Sequence, residues 1–245
     1  MARIELRNAT IRFKDGLAGT ATINGAGVMA NDTDIDINTP ALNTDDVTLV
    51  PIGARFLVAG ETDATQVHVV TARTPTGAGP TTNIEFTPAL GAGTYSDMGV
   101  LTFQSQELII KIGDGDATYT ENDEYIYDLD RGELDTVRRG DDQPMEVALN
   151  FVYEHITTGT GETIAPMDAI KRRGSASEWV SSAADKCEPY AIDIEITHTP
   201  PCGTSETEIT VFPDFRSEQR EVSFADANVA VTGRCNAVEP IVSRE

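Results

Sequence analysis

Lysine is nearly absent from these 245 residues: only Lys14, Lys111, Lys171 and Lys186 occur, and arginine supplies the rest of the 18 basic residues. Against them stand 40 acidic residues, for a formal net charge of −22. A chain so poor in cations does not hold nucleic acid by neutralising phosphate; it repels a polyanion. Aromatic residues make up only 6%, with a single tryptophan, which leaves little for the stacking platform of a sugar site. No run of about 18 apolar residues occurs, so no helical membrane span is expected. MARIELRNAT has no apolar stretch of the kind a secretory signal needs.

Cysteine is scarce and odd in number: Cys187, Cys202 and Cys235. That is no disulfide framework. If Ala191–Thr199 is extended, Cys187 and Cys202 lie roughly 30 Å apart at ~3.3 Å per residue, whereas bridged Cα atoms lie within ~7 Å. A Cys187–Cys235 bridge requires an antiparallel return of the chain. Buried free thiols are the alternative, and the one a reducing compartment favours.

The usual signatures of catalysis and metal binding are missing as well. There is no HExxH, CxxC or GxSxG. His68, His155 and His198 fall in strand patterns without a metal-binding partner four residues on. Asp32, Asp34 and Asp36 have the spacing of a calcium loop, but Ile37 stands where the loop needs glycine; Asp114 and Asp116 lack a third ligand. No catalytic, cofactor-binding or metal-ligating residue is assigned, and nothing argues for an enzyme. Paired carboxylates of the glycosidase kind stay open, because acids are everywhere.

What the chain does have is strand pattern. RIELRNATIRF alternates apolar and polar residues and ends at KDG. From Leu17 to about Asp97 the composition turns rich in Thr, Gly, Ala and Pro, with strand signals at Thr33–Asn38, Ala54–Ala59, Thr65–Arg73 and Thr82–Thr87. After Gly99 the N-terminal pattern resumes, and Val147, Leu149, Phe151 and Tyr153 share one face of a period-2 run. APMDAIKRRG predicts a helix with Pro166 at its first position and Gly174 as its stop. SASEWVSSAADK is expected to extend the helical region; Met167 and Ile170 form a short apolar stripe and Trp179 a large apolar anchor that pack it on a sheet. Four further strand patterns close the chain. The fold class expected is mainly β: an antiparallel β-sandwich with one flanking helix, formed by 1–17 and 98–245, interrupted by a small β-rich module over 18–97.

One stretch fits none of this. LDRGELDTVRRGDDQP, from Leu129 to Pro144, joins two strands with a segment too long and too charged for a hairpin turn. Hairpin loops have about 2–5 residues, and a connection past about 12 is disordered or functional.

With its flanks, KIGDGDATYTENDEYIYDLDRGELDTVRRGDDQPMEVALNFVYEHI resembles the tail tube (major tail) proteins of long-tailed, non-contractile, siphovirus-type bacteriophages. KCEPYAIDIEITHTPPCGTSETEITVFPDFRSEQREVSFADANVAVTGRCNAVEP is similar to their C-terminal half, and RNATIRFKDG looks like their first strand. ARFLVAGET, VHVVTAR and IEFTPAL look like a β module inserted into phage virion proteins.

The resemblance implies a structural virion protein without cofactor, six copies to a ring, and rings stacked into a tube that carries DNA during ejection into the host. It implies a place in the virion tail after assembly in the host cytoplasm. The implied partners are further copies of the chain and the tape measure, tail terminator and tail tip proteins. DNA passes without specific binding, repelled by an acidic wall. The long loop then reaches the next ring, with Arg131, Glu133, Asp135, Arg138, Arg139, Asp141 and Asp142 forming inter-subunit ion pairs as a group. Asp123, Glu124, Asp193 and Glu195 are the candidates to face the lumen. The 18–97 module lies on the tube exterior, since it would otherwise block the channel. Other readings stay open: a capsid decoration or tail terminator protein, an extracellular carbohydrate-binding or adhesin β-sandwich, and a hydrolase built on acidic pairs.

Overall fold

The structure, a computed structural model, describes residues 9–25, 28–44, 47–74, 80–112, 115–131, 133–154, 156–157, 163–199 and 207–244. The first strands are β1 (Ala9–Lys14), β2 (Gly19–Thr22), β3 (Asp34–Asp36), β4 (Ala41–Leu42), β5 (Arg55–Val58), β6 (His68–Thr74), β7 (Asn83–Thr87) and β8 (Val100–Gln104). They are followed by β9 (Glu107–Ile110), β10 (Ala117–Thr120), β11 (Tyr125–Asp130), β12 (Glu133–Arg139) and β13 (Glu146–Val152). Next come β14 (Ile156–Thr157), β15 (Thr163–Ile164) and helix α1 (Pro166–Lys171). The chain ends with β16 (Ile192–His198), β17 (Glu208–Ser223), β18 (Asn228–Arg234) and β19 (Ile241–Arg244). The protein is mainly β, its sheets are antiparallel, and it has one short α-helix among the described residues, consistent with a β-sandwich fold. No described helix is long and apolar enough to cross a membrane.

Two compact units share the chain: Met1–Arg12, Ile109–Glu154 and Ile192–Glu245 in one, Phe13–Leu108 and His155–Ala191 in the other. The second unit therefore takes in 98–108 and 155–191 besides the 18–97 stretch that its composition sets apart.

In this second unit the ladder runs β3-β7-β6-β5-β8-β2-β4. A bridge between Ile23 and Ile37 joins the ends of β2 and β3, with Asn24 N–H on the Asp36 carbonyl (2.9 Å) and Asn38 N–H on the Thr22 carbonyl (2.8 Å). The sheet thus returns on itself through this bridge, with β4 left at its rim beside β2. Alternation fills the interior: Ile35, Phe56, Val58, Val70, Ile84, Phe86, Leu101 and Phe103 are buried. Val180, from the distant 155–191 segment, belongs to the same core. Glu178 fixes that segment, its two oxygens taking Arg73 Nη1 and Nη2 at 2.7 and 3.0 Å and one of them also the Ile52 N–H at 2.8 Å. Asp15 is buried and accepts backbone N–H bonds from Leu17, Gln106 and Val180 at 3.2, 2.6 and 3.1 Å. Gly16 follows because a Cβ there would lie 2.1 Å from the Ser181 carbonyl. These ties predict the outcome of a truncation. Excising only 18–97 deletes β2–β7 and strands Leu101, Phe103 and Val180; that chain is expected to be insoluble or to bind a hydrophobic dye, whereas a soluble, dye-silent product would contradict the shared core.

α1 ends earlier than the sequence implies. Arg172, not Gly174, takes the left-handed cap position (φ 49), and Gly174 opens a 3-10 turn over Gly174–Ala176 instead. SASEWVSSAADK does not continue the helix. Met167, Ile170 and Trp179 are buried as that stripe and anchor require.

In the first unit the order is β10-β13-β18-β17-β16-β1-β9, with β19 also on β17. The unit boundaries fall inside β1 and β9. β17 is the hinge of this path: Glu208–Phe215 pair with β16, and Arg216–Ser223 with β18. Pro213 and the positive φ of Asp214 (51°) interrupt the β16 ladder between Phe212 and Phe215, just before that changeover. Proline has no N–H to donate, so a strand tolerates it at such a bulge. The Asp214 N–H is taken by the Asp193 carboxylate at 2.9 Å. The two halves then face each other, and the Tyr119 and Phe212 rings meet at 5.3 Å although β10 and β17 are not ladder neighbours. Val147, Leu149 and Phe151 of β13, Val229 and Val231 of β18, and Ile192 and Ile194 of β16 fill the space between.

Cys187 and Cys235 are both free thiols, and Cys187 is exposed, unlike the buried thiol expected of it; Cys202 lies outside the described residues. Burial, and after it the Asp193 and Asp214 carboxylates, push the Cys235 thiol up to about 12. Only thiolate is nucleophilic, so a Cys187→Ser, Cys202→Ser chain is expected to show no fast-reacting thiol at pH 8 until it is denatured. Rapid labelling of the folded variant would contradict this burial.

Candidate functional site

The Leu129–Pro144 connection is not a structureless loop. Glu133–Arg139 form β12, which among the described residues pairs only with β11, and together they make a separate two-stranded ribbon. The pairing Asp130↔Glu133 leaves a two-residue turn whose first residue, Arg131, has φ 51°. Such turns need positive φ to match the twist of the strands. Residue 132 lies outside the described residues. The strand run thus passes through the charged stretch rather than stopping before it.

Ladder partners point their side chains to the same face, and residues two apart along a strand do the same. The register is Tyr125↔Arg139, Tyr127↔Val137 and Leu129↔Leu134 on one face; Ile126↔Arg138, Asp128↔Thr136 and Asp130↔Glu133 occupy the other. The first face is apolar except for Arg139, and the second is largely charged. Tyr125, Tyr127, Leu129, Leu134 and Val137 are 53, 61, 66, 60 and 50% exposed. A register shift after Asp128 leaves Asp135 without a ladder partner. That bulge matters: in a regular strand Leu134 and Val137, three residues apart, would face opposite ways. Asp135 is described by its backbone alone.

The other positions expected at an interface surround this face. Arg138 Nε lies 3.4 Å from Asp128 on the charged face; Arg139 lies 3.1 Å from Asp142 and 3.9 Å from Asp123. All are exposed, so each pair contributes only about 0–1 kcal/mol here. Arg131 sits at the tip and Glu133 beside it, while Asp141 and Asp142 are exposed just past β12. The four acids suggested for a lumen divide in two. Asp123 and Glu124 are exposed at the base of the ribbon, where the Glu124 carbonyl accepts the Gly140 N–H at 2.7 Å. Asp193 and Glu195 are half-buried on β16 and engaged within their own unit. Asp193 holds the β17 bulge, and Glu195 pairs with Arg12 Nη1 at 3.2 Å, which also donates to Thr197 at 2.9 Å.

Sequence reasoning missed the five apolar ribbon residues. The signal was present as alternation in YIYDLD, but the acids and arginines of ELDTVRR and the bulge at Asp135 disguised its second half. His68 and His198 are both buried; His155 and Asp114 lie outside the described residues. Among the described residues no group of three or more His, Cys, Asp or Glu is placed to hold a metal ion. The chemistry this surface offers is association. An isolated two-stranded ribbon is marginal in water unless its apolar face packs on something, and clustered exposed apolar side chains mark binding surfaces. No protein-family model matches the chain, and neither a curated protein nor a solved structure matches it.

Proposed function

We propose that this protein is a structural subunit that self-assembles into stacked hexameric rings, forming the tail tube of a long-tailed phage. The tube is an acidic conduit through which DNA passes without being held. The observation that carries this reading is the ribbon: a strand pair lifted off the sheet with one face almost wholly apolar and uncovered. Burying a Leu or Val side chain is worth about 1.5–3 kcal/mol, so covering this face rewards association far more than the exposed ion pairs around it. The net charge of −22 supports the second half of the reading, because a surface of that sign sheds duplex DNA. The resemblance of the flanking segments to tail tube proteins supports the first.

Sedimentation velocity over a concentration series tests it. Species at six subunits and at multiples of six are expected as concentration rises. A single monomeric species at every concentration would overturn the reading.

A further inference from the structure

A groove of about 480 Å³ opens in the first unit between two strands that lack a second ladder neighbour among the described residues, β10 and β19. Its lining is mixed: Tyr119, Val147, Leu149, Ile196 and Phe212 supply an apolar wall, and threonines and charged residues supply most of the rest. Its volume suits one or two inserted side chains or a small ligand. At its lining lies His198, 5% exposed, whose buried Nε2 has no hydrogen-bond partner among the described residues. A buried polar atom left unpaired costs about 1–3 kcal/mol, so an occupant that bonds to it is favoured. That occupant must bring an apolar body for the walls and a hydroxyl or similar group for the imidazole. A tyrosine side chain has both.

We infer that the groove receives the ribbon of a second copy of this chain, with Tyr127 inserted, its ring against Tyr119 and Phe212 and its hydroxyl on His198 Nε2. The inference rests on the self-assembly proposed above and names the contact that makes it. Three observations select this occupant. Tyr127 is the more exposed of the two ribbon tyrosines, at 61%, and stands mid-face between its apolar neighbours. Groove and ribbon share no residue, so one copy can present its ribbon while its groove receives that of another. The charges also agree, since the ribbon's apolar face ends in Arg139 and the groove carries Asp116 beside a Glu208–Arg244 pair. A protrusion on one surface entering a cavity on another is a heterologous contact, which builds rings or open stacks rather than closed pairs.

Cysteine pairing tests the contact directly. In a Cys187→Ser, Cys202→Ser background, a Tyr127→Cys chain is mixed with a Val242→Cys chain, Val242 being a half-exposed residue of the groove. Oxidation is expected to give a disulfide-linked pair in excess of that given by Tyr127→Cys with Met98→Cys, an exposed control position. Independently, Tyr127→Phe and His198→Gln should each weaken association by about 2–10-fold, and the double variant should weaken it no further than one alone. Equal cross-linking to control and groove, or fully additive losses, would overturn the inference. Rings or tubes that form without the Tyr127–Val242 link would sink this contact and leave the tube reading standing. Linked pairs without rings would support the contact and sink the tube.

Discussion

A Leu129→Asp, Leu134→Asp chain is expected to remain monomeric at concentrations where the parent assembles. The two leucines face each other across the ribbon near its tip and are 66 and 60% exposed. Each contributes about 1.5–3 kcal/mol when covered, and an uncovered carboxylate in its place cannot enter an apolar contact without large desolvation. Since 1.4 kcal/mol is a tenfold change, the association constant should fall about 100-fold or more. The fold should not notice: exposed substitutions change folding stability by about 0.5 kcal/mol or less. The two readouts together carry the argument. Monomers with an unchanged melting temperature place the leucines at an interface. A melting temperature lowered by many degrees would mean that the ribbon packs on its own chain, and unchanged assembly would mean that this face is not used.

The second large effect lies in the closed barrel. Glu61 and His68 are buried there, His68 fully, within an aromatic cluster in which the imidazole lies 5.4 and 5.2 Å from the Phe56 and Phe86 rings. The Pro88 carbonyl can only accept, so His68 Nδ1 donates to it at 2.8 Å. His68 Nε2 stands 2.9 Å from one Glu61 oxygen, with a proton between them, and the other Glu61 oxygen accepts the Gly91 N–H at 2.5 Å. Glu61→Ala removes both carboxylate oxygens and leaves buried His68 Nε2 and the half-buried Gly91 N–H without these partners. Breaking such a pair from one side costs roughly 3–5 kcal/mol, which for a unit of this size lowers its melting temperature by on the order of 10 °C. Replacing both partners, as in Glu61→Leu with His68→Phe, should cost less than the single change. Tyr95 reports the same site: burial first, then the charge of and hydrogen bond to Glu61, raise its phenol above the ordinary value. In Glu61→Gln the phenol should titrate at lower pH than in the parent. A single change costing under about 1 kcal/mol, within the range of a surface substitution, would show that the pair contributes little.

Much of this architecture was legible from period alone. β5, β7 and β13 lie where the strand pattern places them, β6 does so with a bulge that breaks its alternation after Val70, and Pro166 opens the helix it was expected to open. The failures share a cause: a residue's partner lay far away in sequence. Val180 and Glu178 belong to the barrel through contacts with residues far back along the chain, Asp15, Ile52 and Arg73 among them, which no local composition records. Asp193 looked like a solvent-facing strand carboxylate, and its actual role depends on a bulge at Pro213 and Asp214. The ribbon was hidden differently. Its second strand is written mostly in charged letters, because only one face of a two-stranded ribbon needs to be apolar, and the bulge at Asp135 shifts that face out of step. Charge drew attention to this segment without revealing that its arginines and acids lie mostly on the other face or at the ends of the ribbon, and that Tyr125, Tyr127, Leu129, Leu134 and Val137 form an exposed apolar face.

The most direct test of the central claim is negative-stain electron microscopy of the concentrated full-length chain. Hollow tubes, or rings with six-fold symmetry and an open centre, are the predicted result. Dispersed monomers at every concentration, or solid aggregates without a channel, would contradict it.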